Sequence, residues 1–215
     1  MIFAPSILTV HDVTHEIFPE HLQDRVSITT LKRYAVAPAD HVIAISKTKK
    51  YELCDIFSLP AQQLSVIRLG FYTFLRSIFP ITFPNRPLLL YIGEGADLYE
   101  NVRHALLAFA FRRRLFGDLT FIAFWRGAFT GSDRGYIERL GLNDTHVCRL
   151  QGIDTLLGFL SSNASALEHP SLYKGIGLPP GEVISAGCLV IAFRKAGSVS
   201  EVVGDERRLF RRCHD

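Results

Sequence analysis

The residues best suited to binding a polar ligand lie together in one short segment, residues 170–182. Its sequence reads Pro-Ser-Leu-Tyr-Lys-Gly-Ile-Gly-Leu-Pro-Pro-Gly-Glu. Lys174 is followed by Gly175 and Gly177, and Glu182 lies eight positions after the lysine. Glycines let a backbone turn approach a ligand closely, an ammonium group can meet an anion, and a carboxylate accepts hydrogen bonds from hydroxyl groups. The residue types of this segment would therefore allow it to bind a polar ligand.

Further candidate residues follow apolar runs elsewhere in the chain. His11 comes directly after residues 7–10, where an active-site loop would begin, although simple packing is an alternative for a single histidine. Gly93 comes directly after residues 88–92, at a place suited to close approach of the backbone. Asn101 is expected to cap the helix that follows it.

Short apolar runs alternate with helical patterns along the whole chain. The predicted strands cover residues 7–10, 41–45, 64–69, 88–92, 119–124, 147–150, 166–169 and 188–192. The predicted helices cover residues 24–36, 48–57, 101–114, 132–140 and 154–162. Strands that are apolar throughout and separated by helices indicate parallel sheets that are covered on both faces. The sequence thus predicts an α/β fold.

Two such blocks flank a stretch rich in proline and phenylalanine. We therefore expect two Rossmann-like units, residues 1–78 and 88–215, joined by a linker at residues 79–87. Ligands of such units bind beyond the carboxyl ends of the strands, so the site is expected between the two units.

Composition excludes several classes of protein. The 215 residues are 48% apolar, and 24 basic against 21 acidic side chains give a net charge of +3, which is too weak to indicate nucleic acid as a partner. The cysteines form no Cys-x-x-Cys pair and are interpreted as reduced thiols of a cytosolic protein. They are Cys54, Cys148, Cys188 and Cys213. The sequence contains neither a signal-peptide pattern nor a run of about 20 apolar residues.

Residues 39–48 read Ala-Asp-His-Val-Ile-Ala-Ile-Ser-Lys-Thr, and residues 201–205 read Glu-Val-Val-Gly-Asp. Together with three further segments they resemble the retaining glycosyltransferases of family 4. Residues 39–48 are similar to the family pattern AD-x-I-I-x-x-S-x-x-T, with the threonine one position early, and residues 201–205 to its P-E-V-x-G-D segment. Residues 9–20, 88–101 and 154–182 resemble, in that order, the end of the N-terminal core, the glycine turn with a Y-K-N helix start, and the donor-sugar loop.

The resemblance implies the GT-B fold, with a partial N-terminal unit and an incomplete C-terminal unit. It also implies a nucleotide-sugar donor, a glycan or lipid-linked acceptor with a reacting hydroxyl, and transfer with retention of stereochemistry. Neither a metal nor another cofactor is expected. The implied catalytic residues are His11, near sugar and acceptor, and Lys174, beside the sugar. The implied donor-binding residues are Gly93, Asn101, Arg126, Gly127, Ser171, Tyr173, Gly175, Gly177 and Glu182.

Within this pattern Gly93 would approach the diphosphate and Glu182 would bind the ribose hydroxyls. The alternative for Glu182 is a carboxylate stabilised at a helix N-terminus. For Tyr173, core packing explains the residue as well as cleft lining does. Arg126 could contribute positive charge at the diphosphate, or be a solvated surface arginine.

The chain departs from the family at charged positions. Lys174 stands where the family has glutamate, and Glu100 stands where the Y-K-N helix start has lysine. Glu94 likewise replaces a small or basic residue. A carboxylate facing a diphosphate is repulsive, so these changes bear directly on donor binding.

Two kinds of function are compatible with these residues. One is a glycosyltransferase of glycan or polysaccharide biosynthesis. The other is a non-catalytic remnant that binds a nucleotide or a partner protein, and a gene fragment without a selected function fits the same losses. The basic runs at 112–114, 207–208 and 211–212 indicate a solvated face, or a patch that docks on the inner face of a membrane.

Overall fold

The structure is a computed structural model that describes residues 4–20, 25–71, 86–93, 100–125, 127–204 and 209–210. A first, parallel sheet has the order β1-β2-β3. Its strands are β1 (Ile7–Val10), β2 (His41–Ala44) and β3 (Leu64–Val66). The helices of this part are α1 (Thr14–Ile17), α2 (Arg25–Val36) and α3 (Lys47–Phe57).

A second, larger sheet is also parallel throughout. Its strands are β4 (Leu88–Ile92), β5 (Thr120–Phe124), β6 (Val147–Leu150), β7 (Ala166–His169), β8 (Leu189–Phe193) and β9 (Leu209–Phe210). Its helices are α4 (Val102–Phe116), α5 (Gly131–Arg139), α6 (Asp154–Asn163), α7 (Leu178–Ser185) and α8 (Val199–Val203).

The second sheet has the order β6-β5-β4-β7-β8-β9, so the chain reverses direction across the sheet between β4 and β7. Helices α4 and α5 pack on one face, and α6, α7 and α8 pack on the other. In open α/β sheets a crevice forms beyond the carboxyl ends of the two strands at which the order reverses. The fold therefore places such a crevice after β4 and β7.

Strand β5 illustrates why the strands are apolar without alternation. Phe121 packs against α4 and α5, and Ile122 packs on the opposite face, and both side chains are fully buried. The predicted α/β class with parallel sheets covered on both faces is thereby confirmed. Strand β8 differs, because Leu189 and Ile191 on one of its faces are exposed.

Several element boundaries differ from the prediction. The third strand ends at Val66 rather than at residue 69. Helices α1, α7 and α8 were not predicted, and neither was β9. Helix propensities do not predict α7, because Pro179 and Pro180 have low propensities. Both prolines lie in the first turn of the helix, where a missing N–H costs little stability. Most of the predicted linker lies outside the described residues, so the unit boundaries stay a prediction.

A buried carboxyl group on β7 predicts a pH-dependent stability. Burial raises the pKa of Glu168 to about 8, from 4.5 in its absence. Between these values the folded protein holds a proton that the unfolded chain has lost, so this contribution to stability is complete below about pH 4.5 and is lost as the pH rises to about 8. We expect the free energy of unfolding of Glu168→Gln to decline less with pH than that of the wild type. At pH 8.5 the variant should be more stable than the wild type by about 2 to 5 kcal/mol.

Urea unfolding between pH 4 and pH 8.5 measures this effect. The exposed Glu138→Gln variant is the matched control and should keep the wild-type slope. Equal pH slopes for Glu168→Gln and the wild type would show that Glu168 is ionised in the folded protein.

Candidate functional site

The crevice at the strand reversal is bordered by two of the predicted segments. Gly93 follows β4, and residues 170–177, here named the β7–α7 loop, follow β7. Gly177 ends the loop with φ of 72°, a left-handed conformation that favours glycine and that leads into α7. The ligand-binding loop predicted from sequence thus lies at the position where this fold binds ligands.

His11, at the end of β1, meets the β7–α7 loop from the first sheet. A Cβ atom on Gly175 would lie 2.6 Å from the backbone oxygen of His11, closer than real contacts allow. Glycine at position 175 is therefore required for the carboxyl end of β1 to approach the loop. The side chain of His11 is exposed. Two residues predicted to serve one site are thus neighbours in space.

Lys174 and Glu100 form an ion pair at the centre of the crevice. The Lys174 ammonium donates a hydrogen bond of 2.6 Å to Oε1 of Glu100, and the Tyr91 hydroxyl donates one of 2.9 Å to Oε2. Glu100 is only 2% exposed. Positions 100 and 174, whose charges differ in opposite directions from the glycosyltransferase pattern that the sequence resembles, are therefore direct partners. The sequence pattern gives no sign of this pairing.

Gly93 makes room for this pair. A Cβ atom at residue 93 would lie 2.7 Å from Oε2 of Glu100 and would also overlap the Tyr91 hydroxyl. The absence of a side chain at this position is therefore explained by the buried carboxylate alone. The predicted role of Gly93 at a diphosphate stays a prediction.

A neutral histidine lies beside the ion pair. His169, the last residue of β7, is 1% exposed, and neither ring nitrogen has a hydrogen-bond partner among the described residues. Burial, together with the charge of Lys174, lowers the pKa of His169 to about 3. Of these two residues, Lys174 carries a positive charge and His169 is uncharged.

Asn101 does not cap α4, so that prediction is wrong. Its backbone has φ of 61° and its side chain makes no capping hydrogen bond. The amide instead donates a hydrogen bond of 3.1 Å to the backbone oxygen of Pro170, at the start of the β7–α7 loop. Asn101 therefore connects the start of α4 to the loop across the strand reversal.

Tyr173 points away from the crevice and packs in the core of the first sheet. It is 4% exposed and belongs to the buried apolar cluster that includes Val10, Val13 and Leu53, and its ring centroid lies 5.9 Å from that of Phe18. Its hydroxyl meets the Lys49 ammonium and donates a hydrogen bond of 2.8 Å to Glu52. The structure therefore favours the packing interpretation of Tyr173 over cleft lining.

A second polar connection joins α3 to α8. The Glu201 carboxylate accepts hydrogen bonds of 3.0 Å and 2.7 Å from the backbone amides of Lys47 and Thr48, and one of 2.7 Å from the Thr48 hydroxyl. Burial raises the pKa of Glu201, but these hydrogen bonds outweigh it and the pKa is lowered overall. Glu201 thus stabilises the first turn of α3 from the other sheet, a role that sequence reasoning missed.

The other predicted site residues that the structure describes lie in three different segments. Ser171 is 2% exposed at the start of the loop. Glu182 is half-buried on α7, and Gly127 is exposed with φ of 79°. Arg126 lies outside the described residues, as does Glu94.

A small cleft lies where α3 and the β7–α7 loop approach each other. Its volume is about 180 Å³, below the ~300 Å³ of small-molecule pockets, so it does not hold a nucleotide-sugar by itself. It is lined by Ser46, Arg68, Leu69, Phe71, Ile176, Glu201 and Val202. Within the described ranges no group of three or more His, Cys, Asp or Glu side chains could hold a metal ion. That the function requires no metal stays a prediction.

Two parallel α/β sheets whose strand ends face a common crevice define the GT-B fold, and solved structures with this architecture match the chain. Sucrose-phosphate synthase from Thermosynechococcus elongatus matches with a TM-score of 0.75 and 19% identity over 95% of this chain and 54% of its own. HepE of Anabaena, solved with UDP and glucose, matches with a TM-score of 0.73 and 20% identity over 97% and 57%. At these identities the likeness shows the fold.

Curated relatives found by sequence are mannosyltransferases. An MMP α-(1→4)-mannosyltransferase of Mycolicibacterium hassiacum is 29% identical over 166 residues, which are 77% of this chain and 39% of the relative. The O-antigen chain mannosyltransferase RfbU of Salmonella typhimurium is 24% identical over 186 residues, 86% of this chain and 50% of the relative. The chain thus spans half or less of these relatives. No protein-family model matches it.

The described helices include none with both the length and the apolar composition that a membrane crossing requires. This finding bears on the described residues alone.

The Glu100–Lys174 pair predicts a charge-swap result. Glu100→Lys and Lys174→Glu should each lower the free energy of unfolding by about 2 to 4 kcal/mol, because each leaves a like-charged neighbour in a buried place. The double variant should recover at least half of the summed loss, since the opposite charges meet again. Thermal and urea unfolding measure all three variants.

The control is the same swap in an exposed pair, Arg86 and Asp118, which are 3.8 Å apart. Each control variant should change stability by less than about 1 kcal/mol. Additive losses in the Glu100 and Lys174 double variant would mean that the two residues do not interact.

Proposed function

We propose that this chain carries the donor-binding part of a nucleotide-sugar-dependent glycosyltransferase that acts in glycan or polysaccharide biosynthesis. The observation that carries the proposal is the β7–α7 loop, which lies at the strand reversal of the second sheet and in contact with the carboxyl end of β1. Donor and acceptor sides of a transfer site would meet there. The proposed reaction moves a sugar to an acceptor hydroxyl with retention of stereochemistry.

The names of similar proteins support this assignment of substrate class. Both curated relatives are named as mannosyltransferases, and HepE was solved with UDP and glucose. We infer that the donor is a nucleoside diphosphate sugar. The acceptor is proposed to be a glycan or a lipid-linked glycan.

We assign the proposed roles from the resemblance of these segments to the glycosyltransferases of family 4. His11 faces the sugar and the acceptor, while the turn at Gly93 faces the diphosphate. Gly175 and Gly177 keep the loop close to the sugar. Glu182, on α7, binds the ribose hydroxyls.

Lys174 is the cation of the β7–α7 loop that we assign to the leaving diphosphate. Negative charge grows on this group as the glycosidic bond breaks, and helix N-terminal amides or cations stabilise it. Helix α7 offers few amides, because Pro179 and Pro180 have no N–H and the Gly181 amide donates to Gly177. The charge of Lys174 is therefore the main contribution that the described loop can make.

The ion pair also supports a second candidate, a non-catalytic protein that binds a nucleotide or a partner. Glu100 is buried and already neutralises Lys174 at a distance of 2.6 Å. A donor diphosphate would have to compete with this carboxylate. In the second candidate the pair has become structural and transfer activity is absent.

Calorimetric titration with UDP, GDP, ADP and their sugar conjugates tests donor binding. We expect one nucleotide series to bind with micromolar affinity, and Glu182→Ala to weaken it at least about tenfold through loss of the ribose contacts. Glu138→Ala, an exposed glutamate on α5, is the matched control and should bind as the wild type does. A folded chain that binds none of these nucleotides would contradict the proposal.

The double variant Glu100→Lys with Lys174→Glu separates the two candidates. If Lys174 serves the diphosphate, moving the cation to residue 100 should lower nucleotide affinity. If the site has decayed, the same exchange restores the family arrangement and should raise it. The calorimetric affinities of wild type and double variant, with a sugar-transfer assay on the better binder, measure the difference.

A further inference from the structure

A fully buried lysine lies on α3. Lys49 is 0% exposed, and its ammonium lies between the Glu52 carboxylate and the Tyr173 hydroxyl. Tyr173 in turn donates a hydrogen bond of 2.8 Å to Glu52. Lys49 and Glu52 belong to the first sheet's part of the chain, whereas Tyr173 belongs to the β7–α7 loop.

Packing alone does not explain a lysine at this position. Burial of the ammonium is unfavourable and lowers the pKa of Lys49, with Glu52 partly offsetting the effect. An apolar side chain of similar volume fills such a site without this cost. What the ammonium adds is a directed, charge-assisted hydrogen bond to the Tyr173 hydroxyl.

The position of Tyr173 makes this interaction relevant to the crevice. Tyr173 precedes Lys174, whose side chain binds Glu100 of the second sheet's part of the chain. Gly175, two residues after Tyr173, is in close contact with the backbone oxygen of His11. Anchoring Tyr173 in the first sheet therefore fixes where Lys174 and Gly175 lie.

We propose that Lys49 is a positioning residue: with Glu52 it holds Tyr173, and thereby sets the β7–α7 loop in the geometry that binds the donor. The contacts of Lys49 and Glu52 with Tyr173 support the positioning of the loop, and the relevance of this positioning to the donor rests on the proposed function. The ammonium of Lys49 contacts Glu52 and Tyr173, to which no role at the sugar or the diphosphate is assigned, so Lys49 acts through Tyr173.

Two variants remove the anchor in different ways. Lys49→Met removes the ammonium and leaves Glu52 to Tyr173 alone. Tyr173→Phe removes only the hydroxyl and keeps the Lys49–Glu52 ion pair, so it is the milder change and should fold. Lys47→Met, an exposed lysine of the same helix, is the matched control.

Hydrogen exchange of the wild-type and variant chains measures the loop directly and without a nucleotide. We expect the amides of residues 173–177 to exchange at least about tenfold faster in both variants, and those of β4 and β7 to stay protected. The double variant should exchange no faster than the faster single variant, because both changes remove one interaction. The affinity for the nucleoside diphosphate that binds the wild type should fall about five- to tenfold in both variants.

Unchanged exchange in the loop would overturn the proposal. So would exchange that rises equally in β2, β4 and β7, because it would show a role in global stability only. If the wild type binds no nucleoside diphosphate, the proposed function fails, while the exchange of residues 173–177 still decides whether Lys49 positions the loop.

Discussion

The site depends on two adjacent side chains of the β7–α7 loop, Tyr173 and Lys174, which bind to different sheets of the protein. Tyr173 reaches into the first sheet and meets Lys49 and Glu52, while Lys174 reaches into the second and meets Glu100. The backbone directly after these anchors passes so close to the backbone oxygen of His11 that residue 175 has to be glycine. The loop is thus fixed between both sheets, at the point where the strand order of the second sheet reverses.

The pairing of Glu100 with Lys174 changes the meaning of the two departures from the family pattern. A lone buried charge is costly, whereas a buried pair with further hydrogen bonds is tolerated. Tyr91 and Gly93 complete this arrangement, one as a donor to Glu100 and the other by leaving space for it. The two charges are therefore one structural unit, and a substitution at either position has to be judged with its partner.

The fold followed closely from the sequence, because strands such as β5, which is apolar from Phe121 to Phe124, have to be covered on both faces. The site followed less well, since its decisive contacts join residues that are distant in the chain. Glu100 and Lys174 are 74 positions apart, and Glu201 reaches α3 across 153. The helical pattern around Lys49 gave no signal of its burial. The sequence does not predict helix α7, because two consecutive prolines usually indicate a loop. The first turn of a helix nevertheless accommodates them.

The proposed function requires that the β7–α7 loop and the turn after β4 together bind a nucleoside diphosphate. Proton–nitrogen correlation spectra of the labelled chain, recorded with UDP, GDP and ADP in turn, measure this binding residue by residue. We expect the amide signals of Gly93, Lys174, Gly175 and Gly177 to move with one of the three nucleotides. Signals that stay in place with all three nucleotides, or that move only far from this crevice, would show that no nucleoside diphosphate binds there.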